Sequence, residues 1–138
     1  VLGGKLTEYR FMAQDVLDRA IRVRRLRAAK CRTRNLPLIG APANPGVIAA
    51  QDTALPVSLV QRYGAEAPKV IASASCERPT EPVVEGSDVS RAEFEYAITH
   101  EGALDVSDIV DRRTRIGLVA PDRERVVPVA TEFLARAG

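Results

Sequence analysis

Thr7-Glu8-Tyr9-Arg10-Phe11-Met12-Ala13-Gln14-Asp15-Val16-Leu17-Asp18-Arg19-Ala20-Ile21-Arg22 is the stretch whose spacing decides the fold class. Tyr9, Met12, Ala13, Val16, Leu17, Ala20 and Ile21 recur at steps of three and four. They therefore share one face of a helix predicted from about Thr7 to about Arg27. Thr7 is placed to cap its start, and arginines gathering at the far end oppose the negative pole of the helix dipole. Ahead of it stands Val1-Leu2-Gly3-Gly4-Lys5-Leu6, a short apolar lead that ends in two glycines. Such a turn leaves backbone N–H groups and the positive end of a helix dipole open to an anion.

Working outward, the chain changes character over residues 28 to 55. Leu36-Pro37-Leu38-Ile39-Gly40-Ala41-Pro42-Ala43-Asn44-Pro45-Gly46 is rich in proline and glycine and cannot continue a helix. Its leucines and isoleucine argue for an ordered crossing loop with apolar side chains tucked away. Pro56 to Tyr63 reads as a short helix with Gly64 as its stop. A second begins around Pro68, turns Val70 and Ile71 inward, and ends near Ser75 to Arg78. After a loop over residues 79 to 88, Val89-Ser90-Arg91-Ala92-Glu93-Phe94 carries the clearest helix start. Ser90 and Glu93 make a capping box there, and Val89 and Phe94 a hydrophobic staple. This helix should stop at about Glu101, before Gly102. Asp105 and Asp108 repeat the box, with Leu104 and Ile109 as staple, ahead of a helix from Val106 to about Thr114. The last helical region starts at Asp122 and offers Val126, Val127, Val129, Ala130, Phe133 and Leu134 as its apolar face. Pro128 either divides it or kinks it. The fold class expected is all-α: a small multi-helix domain preceded by a long helix.

Composition narrows the function classes. A chain of 138 residues can bury one modest core. With no Trp, that core rests on aliphatic residues and on Tyr9, Phe11, Tyr63, Phe94, Tyr96 and Phe133. A net charge of +2 gives no global field for a polyanionic partner. Charge is local instead: Arg22, Arg24, Arg25, Arg27, Lys30, Arg32 and Arg34 follow one another with no acidic residue among them. Cys31 and Cys76 match no metal spacing and are expected to be free thiols in a reducing compartment, with a single buried bridge as the alternative. No segment approaches the roughly 18 consecutive apolar residues of a membrane span, and no secretory signal pattern is present.

Three separated blocks together resemble the C-terminal region of FAD-dependent glycerol-3-phosphate dehydrogenases and the related alpha-glycerophosphate oxidases. They are Gly3-Gly4-Lys5-Leu6-Thr7-Glu8-Tyr9-Arg10 with Met12-Ala13 and Asp15, and Arg62-Tyr63-Gly64 with Glu66-Ala67-Pro68. The third is Glu95-Tyr96-Ala97, His100-Glu101-Gly102-Ala103, Asp108 and Arg112-Arg113-Thr114-Arg115. The order of the blocks is more specific than any one of them. The chain departs from the family at Glu8, where a second threonine is usual.

The resemblance implies oxidation of sn-glycerol 3-phosphate to dihydroxyacetone phosphate. Hydride passes to flavin N5, and electrons leave to a membrane quinone, or to oxygen in the oxidases. It implies FAD as cofactor of the parent enzyme, with Gly3, Gly4, Lys5, Leu6 and Thr7 as cofactor-binding positions and Lys5 as a catalytic contact to flavin or substrate. Residues 1–34 would form the edge of the FAD-binding domain and residues 35–138 a helical cap. The missing nucleotide-binding glycines and substrate-holding residues would lie upstream, so this piece should be inactive and should hold no FAD by itself. Its partners would be those upstream domains, quinone and an anionic membrane surface. The parent would be cytoplasmic and peripherally attached to the membrane. An apolar helix face cut free of its neighbour could also pair with a second copy.

Other readings of the same residues are blander. Gly-Gly-Lys before a helix is, taken alone, an ordinary turn. The basic run reads as a solvated helix end before lipid contact, and nucleic acid is disfavoured because no aromatics interleave it. His100 sits near a helix end with no nucleophile beside it and is expected at the surface. Arg112 should pair with Asp108, four residues earlier. The rival function is a helical interaction module whose basic helix end docks a protein, membrane or nucleic-acid partner.

Overall fold

The structure, a computed structural model, describes residues 4–41 and 55–137. The remainder of the crossing loop, residues 42–54, and the leading Val1-Leu2-Gly3 lie outside them. The described residues form five α-helices: α1 (Tyr9–Arg24), α2 (Val57–Tyr63), α3 (Ala67–Ala72), α4 (Arg91–Thr99) and α5 (Ala120–Ala137). The described residues contain no strand, only one antiparallel bridge between Pro82 and Ser90. The all-α expectation holds. The chain divides into two compact units, Val1–Leu38 and Ile39–Gly138.

The first unit is built on α1. Its N-cap is Glu8 and not Thr7, and neither residue's side chain closes a cap. The helix stops at Arg24, short of the expected Arg27, because Arg25 adopts a left-handed conformation and sends its N–H back to the Arg22 carbonyl. No residue of α1 is buried. Tyr9 and Phe11, expected in the core, are exposed, and so are Leu36 and Leu38 of the crossing loop. The loop is nonetheless tied to the helix. Arg10 Nη1 reaches Gln14 Oε1 at 2.9 Å and Thr33 Oγ1 at 3.3 Å.

The second unit holds the core. Val89, Phe94, Ala97, Ile109, Val110, Val126, Ala130 and Phe133 form one buried cluster. Phe94 meets Phe133 edge-on at 5.8 Å. Leu59, Ala67, Val70 and Ala92 form a second. Burying one such large side chain stabilises the fold by about 1.5–3 kcal/mol. Ile39, at 92% exposure, joins neither, which overturns the tucked-away reading of the crossing loop.

Local signals largely set the helix starts. Pro56 caps α2, and Gly64 follows it at φ +55. A Cβ on Gly64 would collide with the Gly40 carbonyl, so two glycines let these backbones touch. Pro68 stands in the first turn of α3, as expected. That helix ends at Ala72, several residues early, because the Ser75 and Cys76 amides turn away to the Glu95 carboxylate. At α4 the capping box forms: Glu93 Oε2 accepts the Ser90 N–H at 2.7 Å and its hydroxyl at 2.9 Å. The staple residues Val89 and Phe94 are both buried. The helix stops at Thr99, two residues before the expected end, as His100 leaves helical geometry.

Two expectations need correction in the C-terminal third. The Asp105 region is capped by Asp105 Oδ1, which takes the Asp108 N–H at 2.8 Å, but Leu104 is 86% exposed and staples nothing. Its helix widens to π form over Asp108–Arg113, with Thr114 donating both its N–H and its hydroxyl to the Ile109 carbonyl five residues back. α5 starts at Ala120, ahead of Asp122, and runs through Pro128 as one helix. Buried Val126, Ala130 and Phe133 hold it on both sides of the hydrogen bond that proline deletes.

Candidate functional site

The glycine turn before α1 is the site that the sequence singles out. Gly3 lies outside the described residues. Gly4 adopts φ +131, a conformation that favours glycine, and a Cβ there would sit 2.6 Å from Met12 Sδ. Lys5, Leu6 and Thr7 are all exposed. The Lys5 carbonyl takes the Glu8 N–H at 2.9 Å, which closes the turn. The Leu6 and Thr7 amides have no acceptor among the described residues, and the first turn of α1 holds no acidic residue. An electron-rich edge brought here would meet free amides, the helix dipole and a lysine. The donor set therefore fits the polar edge of a flavin, the group that the resemblance implies. Glu8, the departure from the family pattern, serves as backbone N-cap and leaves those amides open.

Beside the turn lies an open groove of about 550 Å³, lined by Gly4, Lys5, Tyr9, Met12, Ala13, Val16 and Leu17. It follows the apolar face of α1. Cys31 stands in the same unit, exposed, its pKa lowered by the Thr33 hydroxyl and amide. None of the seven cations from Arg22 to Arg34 pairs with a carboxylate among the described residues.

The second and third sequence blocks fall in the second unit and serve as joints. Arg62 extends from α2 to Glu93, Nε to Oε1 at 2.6 Å, and its Nη1 meets Asp88 Oδ2 at 2.9 Å. Glu93 is 1% exposed. Partial burial draws the Arg62 pKa down, but the Glu93 and Asp88 bonds outweigh it and raise it. Tyr63 meets Tyr96 edge-on at 5.7 Å, and Tyr96 stacks flat on His100 at 4.4 Å. Burial, with Glu101 nearby, pushes the Tyr63 phenol up, so it stays neutral. His100 lies at the surface with Nδ1 2.8 Å from Thr99 Oγ1, as expected of a residue without a catalytic partner. Arg112 pairs with Asp108 at 2.6 Å, and Arg113 Nε donates to the Glu101 carbonyl. No three His, Cys, Asp or Glu residues gather as a metal site among the described residues. None of the described helices is long and apolar enough to cross a membrane.

Sequence reasoning missed Arg91, whose guanidinium carbon lies 5.4 Å over the Phe133 ring. An arginine in the first turn of a helix gives no sign of a distant aromatic, so no local signal could have found it.

Fold and site together define a helical domain, led by a glycine turn and a helix with an exposed apolar face. The family model for the C-terminal domain of alpha-glycerophosphate oxidase matches residues 31–137, and the chain belongs to that family. Glycerol-3-phosphate dehydrogenase 1 of Mycobacterium tuberculosis is 75% identical over 136 residues, covering 99% of this chain and 26% of that protein. Glycerol-3-phosphate dehydrogenase of Mycobacterium leprae is 36% identical, over 89% of this chain and 23% of the relative. A probable mitochondrial glycerol-3-phosphate dehydrogenase of Dictyostelium discoideum is 30% identical, over 91% of this chain and 21% of its own. The chain thus spans about a quarter of the length of these relatives. No solved structure matches it significantly.

Proposed function

We propose that this chain is the C-terminal part of an FAD-dependent glycerol-3-phosphate dehydrogenase, which oxidises sn-glycerol 3-phosphate to dihydroxyacetone phosphate. The observation that carries the reading is 75% identity across 99% of the chain, a span that takes in the glycine turn ahead of the family domain. When bound in the full-length protein, FAD would supply the hydride acceptor, with a membrane quinone as the electron acceptor. The work of this chain is electrostatic. The Leu6 and Thr7 amides, with Gly3 and Gly4 allowing close approach, donate to the edge where negative charge gathers, and Lys5 adds a full positive charge. In this reading residues 1–34 close the FAD-binding domain and residues 35–138 are its helical cap. The groove along α1 receives the upstream domains, and the chain by itself binds no flavin and turns over no substrate.

The parent enzyme must also reach a quinone, and the unpaired cations of the basic run suit an anionic membrane surface, each contributing about 1 kcal/mol near lipid. A cytoplasmic, peripheral location follows from that role. The interaction-module reading finds no support among the relatives, each of which is named as a dehydrogenase.

The test uses the full-length protein. Purified, it should show visible flavin absorbance and reduce an artificial acceptor when given sn-glycerol 3-phosphate. Lys5→Ala should lower turnover by about 100-fold, the loss typical of one pre-organised charge-stabilising donor, with flavin content unchanged. A protein without flavin, or one inert to this substrate, overturns the proposal.

A further inference from the structure

A cavity of about 500 Å³ in the second unit lies apart from the glycine turn in sequence and has no part in the function proposed above. Its walls come from α4, α5 and the turn at Ser75–Cys76, and include Arg91, Glu95, Ile98 and Phe133. Arg91 is half-buried and held in place. Its Nε donates to the Glu77 carbonyl at 2.9 Å, and its guanidinium carbon lies 5.4 Å over the Phe133 ring. Both contacts leave the terminal nitrogens, Nη1 and Nη2, without an acceptor among the described residues. Arg91 also has no carboxylate partner there. A planar fork held by its Nε bond and by the face of the Phe133 ring, with both terminal nitrogens free of protein acceptors among the described residues, can receive a carboxylate through parallel hydrogen bonds.

The other charges of the cavity are already spent or weak. Glu95 accepts the Ser75 amide at 3.0 Å, the Cys76 amide at 2.9 Å and the Ser75 hydroxyl. Partial burial pushes its pKa up, but these bonds outweigh that and hold the carboxyl below its ordinary range, so it stays an anion in the wall. Arg136, at the rim, is exposed and only 3.9 Å from Glu132. The Cys76 thiol, raised to about 11 by burial and Glu95, is neutral. Glu77, exposed, also lines the cavity, and with Glu95 it repels a second negative charge, so the Arg91 fork suits a ligand with a single negative charge and disfavours a dianion. Ile98 and Phe133 give the same space an apolar wall, and its volume falls within the range of small-molecule sites.

We infer that this cavity binds a small organic monocarboxylate, its carboxylate on the Arg91 fork and its short apolar body against Ile98 and Phe133. Occupancy would bridge α4 and α5 at the surface of the second unit, and it does not depend on the dehydrogenase reading.

The experiment is a titration of the chain with benzoate and butyrate, with butyramide as neutral isostere and sulfate as dianion, followed by amide chemical shifts. Alkylation of Cys76 is followed in parallel, with exposed Cys31 as internal control. Saturable shifts confined to the Ser75–Cys76 turn, α4 and α5, together with at least threefold slower alkylation of Cys76 under benzoate and an unchanged rate at Cys31, support the site. Butyramide and sulfate should shift these amides at least tenfold less at equal concentration. Arg91→Gln should weaken the carboxylate at least tenfold, and Arg91→Lys, which keeps the charge but loses the fork, should recover only part of it. Circular dichroism on both variants checks that the fold is retained. Absence of saturable shifts with either carboxylate, equal shifts from butyramide, or shifts that survive Arg91→Gln overturns the proposal.

Discussion

Helices α1 and α5 are of nearly equal length, 16 and 18 residues, and both carry apolar residues at helical spacing. Their fates differ. α5 buries Val126, Ala130 and Phe133, whereas α1 buries nothing and leaves Tyr9, Val16 and Leu17 exposed. An amphipathic pattern therefore states that a face wants a partner, not that the partner lies in the same stretch of chain. α5 finds it in α4 and the π-helical segment. The face of α1 is finished by protein outside this chain if the proposed function holds, since the relatives are about four times longer.

The strongest way to break this contrast is Phe133→Ala. Phe133 is 5% exposed and meets Phe94 edge-on, so its removal leaves a cavity between α4 and α5. We expect a loss of about 3–5 kcal/mol, as for large aromatic truncations in packed cores, read from the urea midpoint of the chain. A loss under about 0.5 kcal/mol, ordinary for surface sites, would mean that α5 is no better anchored than α1.

A smaller effect should come from Glu95, which ties the Ser75–Cys76 turn to α4. Partial burial pushes its pKa up, but hydrogen bonds from the Ser75 hydroxyl and the Cys76 and Ser75 amides prevail and set it below the ordinary 4.5. A carboxyl lowered in the folded state stabilises above its unfolded value, and that stability is lost as pH falls through the folded value. Glu95→Gln should therefore cost about 1 kcal/mol at neutral pH, the scale of a partly solvated charge-assisted hydrogen bond. The gap between variant and parent should close as pH drops below 4.5. A gap that stays constant into acid would show that the charge of Glu95 is not what holds the turn.

What the sequence made legible was whatever a few neighbouring residues decide. Ser90 and Glu93 are three apart, and their capping box is present; Asp108 and Arg112 are four apart, and they pair. Pro56, Pro68 and Gly64 punctuate α2 and α3 where their backbone chemistry requires. The glycine turn was readable for the same reason, since Gly4 needs its φ whatever surrounds it. The long-range joints were not readable. Arg62 finds Glu93 across 31 residues and Ser75 finds Glu95 across 20, and neither pair has a local signature. The π widening at Asp108–Arg113, in which Ile109 and Val110 are buried, is not something periodicity reports. Helix ends came early where backbone geometry changed at Arg25 and His100, and where the Glu95 carboxylate claimed the amides after α3.

The smallest expected effect sharpens the contrast most. Leu17 lies on the apolar face of α1 and is 60% exposed, so Leu17→Ala should change the stability of this chain by no more than about 0.5 kcal/mol, the usual range for a surface site. In the full-length protein the same substitution should cost about 2–5 kcal/mol, because a covered leucine leaves a cavity when it is shortened. Thermal or urea unfolding of both proteins, with and without the change, gives the comparison directly. A cost above about 2 kcal/mol in this chain would mean that the face is already packed in it. A silent change in both would mean that nothing upstream covers it, and the groove beside Gly4 would then have no protein partner in the longer polypeptide.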